Sequence, residues 1–135
     1  GRKACRKLMG MDGVVIMGQL DKEQVRALLY ESDALVLPSR SEVQPIVLLE
    51  AMSTGIPVVS TEVIPQNLRL EGGCFIVPVD NADALADAMK HVAETPIDGQ
   101  QISQQVAQLA SARVVGERLE KVFKEAIADT ASHSA

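Results

Sequence analysis

Four short apolar runs punctuate the chain, at residues 14–17, 34–37, 57–60 and 74–77. Each is too short for a helix and lacks the in-out alternation of a strand with one wet face. All four therefore read as strands buried on both sides of a parallel sheet. Between them the apolar positions switch to helical spacing. Asp21 is placed as an N-cap before Val25, Leu28 and Leu29, and the helix it opens ends near Ser32. Pro45, at a first helical position, opens a helix that runs to Ser53 or Thr54 and closes at Gly55. Asn81 caps a helix whose buried face is marked by Leu85, Met89 and Val92. After the break at residues 95–99 comes a helix carrying Ile102, Val106 and Leu109, and Val115, Leu119, Val122 and Phe123 mark a last one. Residues 3–9 read as the tail of a helix stopped by Gly10. The whole divides into one unit, residues 1–128, and a frayed tail, residues 129–135.

Such alternation specifies an α/β fold: a doubly wound, Rossmann-like parallel sheet with helices on both faces. Ligands of these sheets sit beyond the carboxyl ends of the strands, which directs attention to the residues after Met17, Leu37 and Ser60.

Composition narrows the function. The chain has 135 residues, 47% apolar and 23% charged, enough for the core of one domain. Thirteen Lys and Arg against eighteen Asp and Glu leave a net charge of −5, which argues against nucleic acid and against an anionic membrane surface as partners. Tyr30, Phe75 and Phe123 are too few to stack bases or sugar rings. Cys5 and Cys74 form no CxxC pair and no zinc spacing with His91 or His133, which favours a reducing, cytoplasmic setting and no bound metal. No window reaches the roughly 18 apolar residues of a transmembrane segment. The absence of an initiating Met and a start that reads as mid-helix point to a piece of a longer protein. A dinucleotide fingerprint is missing after every strand, and no acidic cluster of a phosphorelay receiver follows Met17 or Leu37.

The segment from Leu37 to Met52 carries the strongest chemical signal. A helix opening at Pro45 leaves the amides of Ile46 and Val47 without intrahelical partners, and its dipole makes that end attractive to an anion such as a diphosphate. Glu50 lies about 7.5 Å further along the axis, in a helix that is otherwise apolar almost all round. A carboxylate so placed is costly unless it is paired or turned toward a polar cleft, so it is either a cap to a neighbouring amide or solvent stripe, or a ligand for a hydroxyl. Glu42, in a polar loop, is either a solvated charge or, by its position at a strand end, part of a site.

These residues resemble a known signature. Pro38-Ser-Arg-Ser-Glu42, then Pro45-Ile-Val-Leu-Leu-Glu-Ala-Met52, then Gly55-Ile-Pro-Val-Val-Ser-Thr61 is similar to the motif of the group 1 retaining glycosyltransferases of GT-B fold, over about residues 3–127. The family's E-x7-E pair falls on Glu42 and Glu50. The resemblance implies the C-terminal, nucleotide-sugar-binding lobe of a two-lobed enzyme, with the N-terminal lobe and the first strands of this lobe outside the chain. It implies a donor site formed by Glu42, Gln44, Pro45, Ile46, Val47 and Glu50. Glu50 would hold the ribose hydroxyls, the amides after Pro45 would face the diphosphate, and Glu42, the catalytic candidate, would lie near the donor sugar. It further implies a nucleotide diphosphate sugar as substrate, no metal or other cofactor, no nucleic-acid partner, and membrane association, if any, through the other lobe. Where many members carry Gly-Phe-Gly the chain has Val43-Gln44-Pro45, and where they carry a Gly-Gly loop it has residues 62–67 with no glycine.

Overall fold

The computed structural model describes residues 6–43, 45–111 and 117–133. In chain order these form α1 (Lys22–Glu31), β1 (Leu35–Leu37), α2 (Ile46–Ser53), β2 (Val58–Thr61), a 3-10 turn (Gln66–Leu68), β3 (Cys74–Val77), α3 (Ala82–Glu94), α4 (Gly99–Ser111) and α5 (Glu117–His133). The three strands are parallel in the order β1-β2-β3, with Leu37 opposite Ser60 and Thr61 opposite Val77. The α/β, Rossmann-like architecture read from the sequence is thus observed.

Local chemistry explains the helix starts. The Asp21 carboxylate accepts from the Gln24 amide at 2.8 Å while the Gln24 side chain accepts from the Asp21 amide at 3.0 Å, a reciprocal cap on α1. Asn81 accepts from the Ala84 amide at 2.9 Å to cap α3, and Asp98 accepts from the Gln101 amide at 3.0 Å at the start of α4.

The central strand β2 is buried at all four positions. Its residues alternate between faces. Val58 joins the main core with Leu29, Leu48, Met52, Ile102 and Phe123, contributed by α1, α2, α4 and α5. Val59 faces α3 and its Val92. Helix α2 therefore lies at the centre of one layer, with Leu48, Ala51 and Met52 completely buried.

Four expectations need correction. Residues 14–17 are not a strand: they join no ladder, and Val15 is 77% exposed. An apolar run supplies propensity, but a strand is completed only by a neighbour's backbone, and none of the described residues provides one. Met89 is exposed, bordering an open cavity of about 700 Å³ beside Val36 and Val59, because that flank of β1 carries no covering helix among the described residues. Pro45 is the N-cap rather than the first helical residue, its ψ of 78° keeping it outside the helix. Helix α5 continues through residues 129–133, where Asp129 meets Arg26 of α1 at 3.2 Å and the Thr130 hydroxyl donates to the Ala126 carbonyl at 2.8 Å. Residues 1–5, Val115 and residues 134–135 lie outside the described residues.

Candidate functional site

Strand β1 ends at Leu37, and two hydroxyls at the end of β2 hold the strand end and the turn that follows it. Ser60 Oγ donates to the Leu37 carbonyl at 2.8 Å and Thr61 Oγ1 to the Ser39 carbonyl at 2.6 Å. Both side chains are buried, at 0% and 2% exposure, a placement that is costly for a hydroxyl without these bonds. The Ser39 amide also donates back to the Leu37 carbonyl at 2.9 Å. From this fixed turn the Ser39 hydroxyl donates to Glu42 Oε1 at 2.6 Å. Arg40 pairs with Asp80 at 2.7 Å, but the two side chains are 78% and 62% exposed, so water screens the pair and it contributes little.

Helix α2 follows the loop directly. Pro45 is buried and offers no side-chain cap, and its carbonyl accepts from the Leu48 amide at 3.1 Å. That leaves the amides of Ile46 and Val47 without a partner among the described residues, as expected for the first amides of a helix. Ile46 is exposed and Val47 half-buried. Glu50 is half-buried one turn further on, and among the described residues its carboxylate has no hydrogen-bond or ion-pair partner. It shares a narrow crevice with Ile46 and with Val122, Phe123 and Ile127 of α5. That apolar wall lowers the local dielectric and strengthens any hydrogen bond the carboxylate accepts.

Of the residues singled out from the sequence, Ile46 and Glu50 therefore meet in one crevice. Glu42 is tied to Ser39, Pro45 and Val47 flank the helix start, and Gln44 lies outside the described residues. A separate cavity of about 470 Å³ opens at the carboxyl ends of the strands on the α3 side, lined by Pro38, Arg40, Thr61, Val77, Asp80 and Asn81. It contains neither Glu42 nor Glu50.

Sequence reasoning gave no role to Ser60, Thr61 or Arg69, although it pointed to the residues after Ser60. The signal for the first two was present: an apolar strand that ends in two adjacent hydroxyls on the ligand side of a sheet. Arg69 orders the glycine-free loop after β2, donating to the Ile64 carbonyl at 2.9 Å and to the Glu62 carbonyl at 2.6 Å. The Glu62 carboxylate in turn accepts from the Val79 amide at 3.1 Å.

Cys74 sits beside this loop. Burial pushes its thiol up to about 11, with the Arg69 charge opposing in part. A pKa raised by folding means that the protonated thiol favours the native state below the ordinary value of 9.0, and that this contribution is lost as pH rises toward about 11. At pH 8 the native protein is accordingly expected to leave Cys74 unmodified by iodoacetamide, and denaturant to release it, as peptide mass spectrometry would read. Rapid native labelling would place the thiol in a more open environment.

Among the described residues no group of three or more His, Cys, Asp or Glu stands close enough to hold a metal ion, and no helix is long and apolar enough to cross a membrane.

The profile of the family described as "Glycosyl transferases group 1" matches residues 1–95. The alpha-D-kanosaminyltransferase of Streptomyces kanamyceticus is 28% identical over 134 residues, 92% of this chain and 35% of that protein. The gpi3 subunit of the phosphatidylinositol N-acetylglucosaminyltransferase of Schizosaccharomyces pombe is 31% identical over 121 residues, 87% of this chain and 26% of that protein. A putative teichuronic acid biosynthesis glycosyltransferase of Bacillus subtilis is 32% identical over 90 residues, 66% of this chain and 23% of that protein. The chain thus spans about a third or less of these relatives. With the profile covering most of its length, and with an apolar helix rising from the carboxyl side of a parallel sheet, the chain belongs to the group 1 glycosyl transferases.

Proposed function

We propose that the chain is most of the C-terminal, donor-binding lobe of a retaining glycosyltransferase of GT-B fold. The whole protein transfers a sugar from a nucleoside diphosphate sugar to a glycan, lipid or small-molecule acceptor. One observation carries the reading: α2 opens at the carboxyl side of the sheet and, among the described residues, its first two amides and the half-buried carboxylate one turn on all lack a partner. Glu50 accepts from the two ribose hydroxyls. The Ile46 and Val47 amides and the helix dipole receive the diphosphate, without a metal. Glu42 borders the donor sugar near its anomeric carbon, and Gln44 and Pro45 complete the rim. The relatives' names, which cover kanosaminyl, N-acetylglucosaminyl and sulfoquinovosyl transfer, support the reaction class and leave the sugar open. We place the protein in the cytoplasm, with any membrane association through the remaining lobe. The fragment alone presents half a cleft, so it is inactive by itself and binds nucleotide weakly.

Titration of the chain with UDP, GDP and ADP, by calorimetry or NMR, tests the reading. One base is expected to be preferred. Glu50→Ala should weaken that binding by on the order of 1.5–3 kcal/mol, about 10- to 150-fold, through loss of hydrogen bonds to a charged group. Unchanged affinity in a folded variant would remove Glu50 from the site, and tight metal-dependent binding would count against the whole assignment. The glycine-free loop braced by Arg69 favours one alternative, a non-catalytic nucleotide-binding or interaction domain of the same fold. Nucleotide binding without turnover in the full-length protein would select it.

A further inference from the structure

We propose that Ser39, held in place by the buried hydroxyl of Thr61, is the positioning residue that aims the Glu42 carboxylate at the donor sugar. The inference rests on the donor-lobe reading and deepens it. Glu42 lies in a loop, and a glutamate side chain left free there samples many rotamers, an entropy that a ligand would have to remove on binding. Here the freedom is already restricted. The 2.6 Å contact from Ser39 Oγ to Glu42 Oε1 has the length of a charge-assisted bond from a hydroxyl to a carboxylate.

A donor can orient its acceptor only if it is itself fixed, and Ser39 is fixed at both ends of its peptide unit. Its amide donates to the Leu37 carbonyl at 2.9 Å, and its carbonyl accepts from Thr61 Oγ1 at 2.6 Å. Thr61 is 2% exposed and belongs to the central strand, with Val77 of β3 opposite it and the adjacent Ser60 opposite Leu37 of β1. Rigidity thus passes from the sheet to Thr61, from Thr61 to Ser39, and from Ser39 to Glu42. The second tie on the loop, from Arg40 to Asp80, is exposed and cannot substitute. With Oε1 committed to Ser39, Oε2 has no partner among the described residues and is the atom left to accept from a sugar hydroxyl.

The test compares Ser39→Ala, which removes the donor, with Ser39→Thr, which keeps it, and with Thr61→Val, which removes the anchor at nearly constant volume. The first readout needs no ligand. Carbon-13 relaxation at Glu42 Cγ should report an ordered side chain in the wild type and in Ser39→Thr, and a mobile one in Ser39→Ala and Thr61→Val, with the backbone amide spectrum otherwise preserved. An equally ordered Glu42 in folded Ser39→Ala overturns the proposal. The second readout is the affinity ratio of UDP-glucose, GDP-mannose or ADP-glucose to the matching free diphosphate. It should fall about fivefold in Ser39→Ala, the size of one net hydrogen bond, and recover in Ser39→Thr. A mobile Glu42 with an unchanged ratio would overturn its role at the sugar while leaving the nucleotide site intact. Absence of nucleotide binding in every variant, wild type included, would instead defeat the donor-lobe reading, and the relaxation data would still decide whether Ser39 positions Glu42.

Discussion

Gly55→Ala is expected to destabilise the protein by about 2–5 kcal/mol, for two separable reasons. Gly55 terminates α2 with φ +88°, a left-handed conformation that costs an L-residue about 1–2 kcal/mol. A Cβ added there would also meet the Gly99 carbonyl oxygen at 2.8 Å, and because that atom is backbone, only a shift of the start of α4 relieves the clash. Overpacking of this kind costs about 1–3 kcal/mol. Two controls divide the sum. Gly72 has φ +72° with nothing within 4 Å, so Gly72→Ala measures the backbone cost alone. Gly99 has no left-handed φ but would place its Cβ 2.7 Å from the Gly55 carbonyl oxygen, so Gly99→Ala measures the clash less the roughly 0.5–1 kcal/mol that Ala gains over Gly in a helix. Urea unfolding of the three variants should give a Gly55→Ala penalty near the sum of the other two once that gain is added back. A penalty no larger than that of Gly72→Ala would mean that α2 and α4 do not approach at this point.

The Gly55–Gly99 contact also shows which parts of the structure a sequence discloses. Gly55 as a helix stop was readable, because its cause lies within one turn of α2: the Gly55 amide donates to the Met52 carbonyl at 3.0 Å. The same holds for the Asp21 and Asn81 caps, whose partners are three residues away. What escaped depends on remote partners. The hydroxyls of Ser60 and Thr61 find their acceptors 23 and 22 residues back in the chain, and Asp129 meets Arg26 across 103 residues. Residues 14–17 fail as a strand for a related reason, since apolar character is local and a ladder is not. At the candidate site, the positions of Glu42 and Glu50 in a loop and on a helix were legible from the flanking pattern. The α5 wall beside Glu50 was not, since it needs the folded arrangement; the tie from Ser39 to Glu42 spans only three residues, but the anchor that fixes Ser39 comes from Thr61, 22 residues away.

Leu48→Ala provides the second large expected effect and separates stability from binding on a single helix. Leu48 is 0% exposed in the core shared by α1, α2, α4 and α5, and truncation there should cost about 2–5 kcal/mol through lost burial and the cavity left behind. That is a sizeable part of the roughly 5–15 kcal/mol that holds a domain folded. Leu48→Met, which nearly conserves volume, should cost less than about 1.5 kcal/mol. Glu50 stands two residues on, about 200° around the helix axis, so its side chain leaves the opposite side of α2. The two variants are therefore expected to behave inversely. Leu48→Ala should lower the urea midpoint at an unchanged slope, and reduce apparent nucleotide affinity only by the fraction that is unfolded. Glu50→Ala should leave the midpoint nearly unaltered and weaken binding in the folded protein. If Glu50→Ala proved the more destabilising of the two, its carboxylate would be a structural cap and the ribose role would pass elsewhere. If Leu48→Ala lost less than about 1 kcal/mol, α2 would not be the centre of the core, and the rigid platform on which the proposed donor site depends would be absent.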